Sequence, residues 1–145
     1  MATQVVIVGE CMLELSRPGA SAGLGTGWQL GFGGDTFNTA LYLRRLGVDV
    51  AYLTALGTDC FSAELRQAWA AEEIDLSLVL CAPDRIPGLY AIRTDPAGER
   101  TFSYWRTQSA ARRLFRCPGI EESLQVPCGE AALPVGDHPV DFRTG

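Results

Sequence analysis

Apolar residues fall in short blocks whose period changes along the chain. Val5-Val6-Ile7-Val8 is an unbroken β-branched run, the pattern of a strand covered on both faces, as in a parallel sheet between helices. Met12, Glu14 and Ser16 alternate with Leu13 and Leu15, which predicts a second short strand presenting Glu14 on one face. Trp28 to Phe32 is predicted as a further strand. Phe37, Ala40, Leu41, Leu43 and Leu46 predict a helix from about Thr36 to Leu46. Their spread around the wheel implies burial on more than one side, with Asn38 on the remaining polar side near Arg45. Asp49 to Leu56 reads as the next buried strand. Asp59 or Ser62 then caps a helix to about Glu73, whose Phe61, Leu65, Ala68 and Trp69 keep helical spacing. Leu76 to Cys81 is a third short apolar run. Strand and helix alternating through short loops predict an α/β fold with a parallel sheet and right-handed crossovers.

The texture then changes. Gly88 to Arg93 and Arg100 to Arg106 both alternate, and Asp95-Pro96-Ala97-Gly98 between them is a turn signal. The expectation is a β-hairpin inserted into the α/β pattern. A period of two places Phe102, Tyr104 and Arg106 on one face, and one register brings Tyr90 opposite Tyr104. Arginine can bind a carboxylate through two parallel N–H···O bonds, and tyrosines add flat apolar area with a hydroxyl. Spacing alone favours a cross-strand aromatic pair beside a solvated arginine.

Gly31-Phe32-Gly33-Gly34-Asp35-Thr36-Phe37-Asn38-Thr39-Ala40 leads into the first helix. Asp35 or Thr36 can cap it, and Gly47 suits its end. Glycines before a helix start let a ligand reach the backbone N–H groups. On glycines alone the turn reads equally as punctuation.

Composition narrows the function classes. A length of 145 residues allows one modest domain, and 47% hydrophobic content supports a core. A net charge of −5 argues against nucleic acid or an anionic membrane as partner. Five cysteines, an odd number with no C-x-x-C pair, and an N-terminus without a signal peptide favour a reduced, cytoplasmic protein. No apolar run approaches the ~18 residues of a membrane helix. Gly23-Leu24-Gly25-Thr26-Gly27 lacks the lysine of a phosphate loop and reads as a surface loop. Cys117 to Gly145 holds four of the eight prolines and the single histidine, His138. That stretch is expected to be an irregular tail with no metal site, apart from one helical turn near Glu121 to Leu124.

Gly33-Gly34-Asp35-Thr36-Phe37-Asn38-Thr39-Ala40 matches G-G-x-x-x-N-x-A, the signature of the ribokinase-like, pfkB-type carbohydrate kinases. With Thr-Ala-Leu-Gly-Thr-Asp at 54–59, Gly-Leu-Tyr at 88–90 and Gly-Glu-Arg-Thr-Phe-Ser-Tyr-Trp-Arg at 98–106, it resembles the 2-keto-3-deoxygluconate kinase branch from Val5 to about Leu114. The resemblance implies a ribokinase-like sheet between helices with an inserted β lid, its strands at about 28–32 and 88–106. It implies ATP-dependent phosphorylation of a keto-sugar acid. Gly33, Gly34, Asp35, Thr36, Phe37, Asn38, Glu14 and Trp105 would bind the substrate, and Tyr90, Tyr104 and Arg106 would hold its carboxylate end. It also implies a possible homodimer through the lid.

The family's ATP pocket and its G-A-G-D general-base motif lie in a second half that has no counterpart here. The expectation is therefore residues 1–116 as the N-terminal part of a sugar-kinase domain and 117–145 as a non-family tail, as in a truncated chain whose end is read out of frame. ATP and Mg2+ would serve the full-length family, with no catalytic residue and no nucleotide site in this chain. Trp69, Leu76 and Leu78 are then expected to lack part of their cover, with marginal folding.

Overall fold

The computed structural model describes residues 5–17 and 27–125. The loop at 23–26, Cys128, His138 and the proline-rich stretch beyond 125 lie outside the described residues.

A parallel three-stranded sheet forms the base. Its strands are β1 (Val5–Val8), β4 (Val50–Leu56) and β5 (Val79–Cys81), in the order β1-β4-β5. Val5 stands beside Val50 and Thr54 beside Val79. All seven residues of the central strand are buried, as its unbroken apolar run predicts. Helices α1 (Asp35–Arg45) and α2 (Cys60–Ala71) follow β3 (Gln29–Gly33) and β4 in the chain. Phe37 of α1 and Trp69 of α2 pack with Tyr52 of β4 against one sheet face. Phe37 stacks on Trp69 at 5.5 Å, and Tyr52 meets Trp69 edge-on at 5.3 Å. The opposite face is covered by a 3-10 helix (Ala111–Arg116), which brings Leu114 against Leu53, Ala55 and Leu78. A single helical turn, α3 (Ile120–Ser123), follows.

Local chemistry fixes the helix ends. Asp59 caps α2 by accepting from Ser62 N–H at 3.0 Å and from the Ser62 hydroxyl at 2.6 Å. Ser62 Oγ in turn accepts the Gly57 N–H at 3.0 Å. At α1 the expected capping by Asp35 or Thr36 is not what forms. Gly34 is the N-cap, with φ +145° and no side-chain cap bond. A Cβ there would approach the Glu10 carbonyl to 2.7 Å, so the helix start lies against the chain that leaves β1. Gly47, at φ +87°, ends α1 as expected.

Two further expectations are corrected. Helix α1 buries one stripe, Thr36, Phe37 and Ala40, whereas Leu46 is 80% exposed. The sheet covers α1 from one side only, so the broad apolar spread does not produce two-sided burial. Trp69 and Leu78 do not lack cover: Trp69 is 0% exposed and Leu78 is buried. The α1 aromatic and the 3-10 helix respectively close over them.

The lid is a second sheet of four strands in the order β3-β2-β6-β7, with β2 at Met12–Ser16, β6 at Leu89–Thr94 and β7 at Arg100–Trp105. The hairpin β6–β7 forms as expected, with Tyr90 directly opposite Tyr104. Asp95 Oδ1 accepts from the N–H groups of Ala97 and Glu99, both at 2.9 Å, and closes its turn. The chain's second strand is also part of this sheet. β2 lies between β3 and β6, antiparallel to the first and parallel to the second.

Candidate functional site

Register places the candidate residues on one lid face. Gly31, Glu14, Tyr90 and Tyr104 form a row across all four strands. Side chains on neighbouring strands in register share a face. The Tyr90 hydroxyl donates to Glu14 Oε2. Burial, then the adjacent Glu14 carboxylate, pushes the Tyr90 hydroxyl above the usual tyrosine range. Tyr90 is therefore a neutral donor at pH 7. The rings of Tyr90, Phe102 and Tyr104 lie 6.0 to 6.4 Å apart in a tilted stack, with Phe102 and Tyr104 exposed.

The glycine turn closes one side of this cleft. A Cβ on Gly33 would stand 3.0 Å from the Tyr90 hydroxyl, 3.7 Å from Glu14 Oε2 and 4.0 Å from Asn38 Oδ1. Gly33, Glu14, Tyr90 and the exposed Asn38 therefore converge on one space, which any side chain at 33 would fill. The backbone N–H of residue 38 makes the first intrahelical bond of α1, to Gly34 O at 2.8 Å. Asp35 is exposed in the first turn of α1.

Arg106 follows β7 directly. A Cβ on Gly88 would come within 3.1 Å of Arg106 Cβ, so the two residues are side by side at the end of the hairpin. Arg106 Nη2 lies 2.7 Å from Glu10 Oε2. Glu10 Oε1 accepts from the Ser109 hydroxyl at 2.5 Å. Glu10 and Ser109 are site residues that sequence reasoning did not single out. One signal was available: Glu10 is an acid at the carboxyl end of a parallel strand, the edge where open α/β sheets bind ligands.

Three candidates do not face the cleft. Phe37 is 2% exposed within the aromatic core, where it locks α1 to the sheet. The Thr36 hydroxyl turns inward to the Glu10 carbonyl at 3.3 Å and to the Tyr52 hydroxyl at 2.9 Å. Trp105 pairs with Leu89 one register step from Tyr104, so it projects from the reverse face of the lid, 60% exposed.

Among the described residues no set of three or more His, Cys, Asp or Glu side chains could hold a metal ion, and the chain contains no lysine. Chemically, the arrangement sets hydroxyl, carboxylate and amide groups near a guanidinium, a mix of donors and acceptors suited to hydroxyl and carboxylate groups of a small molecule.

Comparison with known proteins bears on the family and the fold. The profile of the pfkB family carbohydrate kinases matches residues 2–123. The 2-dehydro-3-deoxygluconokinase of Escherichia coli (strain K12) is 47% identical over 116 residues, covering 77% of this chain. The chain spans 36% of the length of that relative. The crystal structure of the PfkB protein from Polaromonas sp. JS666 superposes with a TM-score of 0.68 at 31% identity, over 77% of this chain and 37% of that one. Fructokinase with bound ATP from Xylella fastidiosa shares the fold, with a TM-score of 0.67 at 23% identity over 77% of this chain and 36% of its own. A ribokinase-like α/β base, a four-stranded lid and the Gly33–Asn38 turn between them thus coincide with a family match over most of the chain, and the protein belongs to the pfkB family of carbohydrate kinases.

Proposed function

We propose that this chain is the sugar-acid-binding portion of an ATP-dependent kinase acting on 2-dehydro-3-deoxygluconate. The observation that carries this reading is the convergence of Gly33, Glu14, Tyr90 and Asn38 on one space, with Arg106 at the same end of the lid. In the proposed complex Glu14, Asn38 and the backbone of Gly33 and Gly34 hold hydroxyls, with Asp35 at the rim. Tyr90 and Tyr104 flank the carbon chain, and Arg106 receives the carboxylate. The similarity to 2-dehydro-3-deoxygluconokinases supports the acid over a neutral sugar. Phosphoryl transfer depends on holding the acceptor hydroxyl in line and on neutralising charge at the phosphates. The described residues serve the first need only. The reverse lid face, with exposed Leu30, Phe32 and Trp105, is the surface a second copy would cover in a homodimer. No helix among the described residues is long and apolar enough to cross a membrane.

Calorimetric titration of the chain with 2-dehydro-3-deoxygluconate tests the reading. The expected result is saturable binding that Arg106→Ala weakens at least about tenfold, as loss of a charge-assisted pair does. The same chain with Mg-ATP and the sugar acid is expected to show no turnover. Absence of binding would overturn the assignment, and turnover would overturn the division of labour. A binding-only protein without catalysis is the second reading, and saturable binding of the sugar acid that Arg106→Ala abolishes, with no turnover in the presence of Mg-ATP, would support it.

A further inference from the structure

Glu10 lies outside the row of sugar-facing residues, yet several parts of the site meet at it. Its side chain is 9% exposed, against 31% for Arg106. Each carboxylate oxygen has its own partner, Oε2 with Arg106 Nη2 at 2.7 Å and Oε1 with the Ser109 hydroxyl at 2.5 Å. Ser109 is itself buried, and its N–H donates to the Arg106 carbonyl at 3.1 Å. Gly88 leaves the room for this arrangement, because a Cβ there would approach Glu10 Oε1 to 2.7 Å. The Glu10 carbonyl also accepts the Thr36 hydroxyl and lies against Gly34. One residue thus touches the sugar-binding turn through its backbone and the arginine of the lid through its side chain. The Arg106 Nε–H is buried without an acceptor, so the guanidinium is tied at one nitrogen and not saturated by the protein.

A buried carboxylate costs several kcal/mol to desolvate unless its lone pairs are used, and here both oxygens are. An arginine side chain free to rotate loses much conformational entropy on capturing a ligand, which a prior anchor removes. We propose that Glu10 is the positioning residue for Arg106: it holds the guanidinium across the end of the cleft by one nitrogen, so that the remaining donors are preset for the carboxylate of a sugar acid. This rests on the sugar-acid reading for its ligand, but not for its geometry. The consequence is selective. Glu10 acts on the acid end of the ligand only, so its removal lowers affinity for an acid and leaves a neutral sugar of the same skeleton unaffected. A residue needed merely for folding lowers both alike.

Two measurements on the full chain separate these cases. Nitrogen-detected NMR of the arginine guanidinium groups, without ligand, is expected to show slowed rotation at Arg106 in the wild-type chain and averaged signals in Glu10→Gln. Free rotation in the wild type overturns the proposal. The second measurement is titration with 2-dehydro-3-deoxygluconate and with 3-deoxyfructose, which replaces its carboxylate by an alcohol. Glu10→Gln is expected to weaken the acid about tenfold with the alcohol unchanged, and to have no further effect in an Arg106→Ala background. Equal losses for both ligands also overturn the proposal. Ser109→Ala removes the other partner of Glu10 without altering either charge, and a shift of the same sign is expected there should Glu10→Gln fail to fold. If the wild type binds neither ligand, the sugar-acid reading fails, and the guanidinium signals alone decide whether Glu10 positions Arg106.

Discussion

The Tyr90 hydroxyl donates to the Glu14 carboxylate from the neighbouring parallel strand, 76 residues away in sequence. The bond ties β2 to the hairpin and places a neutral donor and an anionic acceptor beside Gly33. Tyr90→Phe keeps the ring stack on Tyr104 and deletes only the hydroxyl. A hydrogen bond to a charged group contributes about 1.5–3 kcal/mol. The variant is expected to unfold at lower urea concentration by roughly that amount and to bind sugar acid about tenfold more weakly. Unchanged values in both titrations would show that Glu14 is satisfied from elsewhere.

Alkaline pH acts on the same region. Burial, the largest cause in each case, raises Cys11, Tyr52 and Tyr90 above their ordinary values. A group whose folded pKa is raised keeps its proton while the unfolded chain loses it, so stability is fully present below the unfolded pKa and falls as pH rises. The fall is expected to begin near the ordinary cysteine value of 9.0 and to steepen past the ordinary tyrosine value of 10.0. Urea midpoints at pH 7, 9 and 10.5 measure it. A midpoint flat across that range would sink the expectation, and Tyr90→Phe should reduce the slope.

Trp69 is the largest fully buried side chain and touches Phe37 and Tyr52. Trp69→Ala is expected to cost about 3–5 kcal/mol, since it removes both transfer energy and packing around a cavity. That is comparable to the whole margin of a small domain. Loss of near-ultraviolet circular dichroism at 25 °C is the expected result. Trp69→Phe, which keeps an aromatic ring there, should retain a cooperative melt. A native-like melt of the alanine variant would mean that α2 is not held through this residue.

The cap of α2 gives a smaller, separable effect. Asp59→Ala removes bonds to the Ser62 N–H and hydroxyl. A cost of about 1–2 kcal/mol is expected in urea unfolding. Asp59→Asn, which can still accept, should recover most of it. An equal loss in both variants would assign the effect to charge rather than to the cap.

The chain by itself determined its local structure and its family. The β-branched run at 5–8 and the apolar run at 50–56 read as strands of a sheet covered by helices. The turn at 95–98 and the alternation around it marked the hairpin, because period and turn chemistry are local, but the register that sets Tyr90 opposite Tyr104 was one of several until the strands paired. The string from Gly33 to Ala40 carried the family through residue identity. What local pattern could not decide was how distant segments meet. Nothing around Met12 to Ser16 states that this strand leaves the base sheet and pairs with β6, which follows from the shape of the whole lid. Phe37 and Trp105 sit within matching motifs, yet one is turned inward by the sheet beneath α1 and the other outward by one step of register. Glu10 showed no spacing partner at all. Its pairing with Arg106 spans the chain, and only folding, by bringing the carboxyl end of β1 to the end of the hairpin, turned an isolated acid into the partner of the arginine proposed to receive the carboxylate.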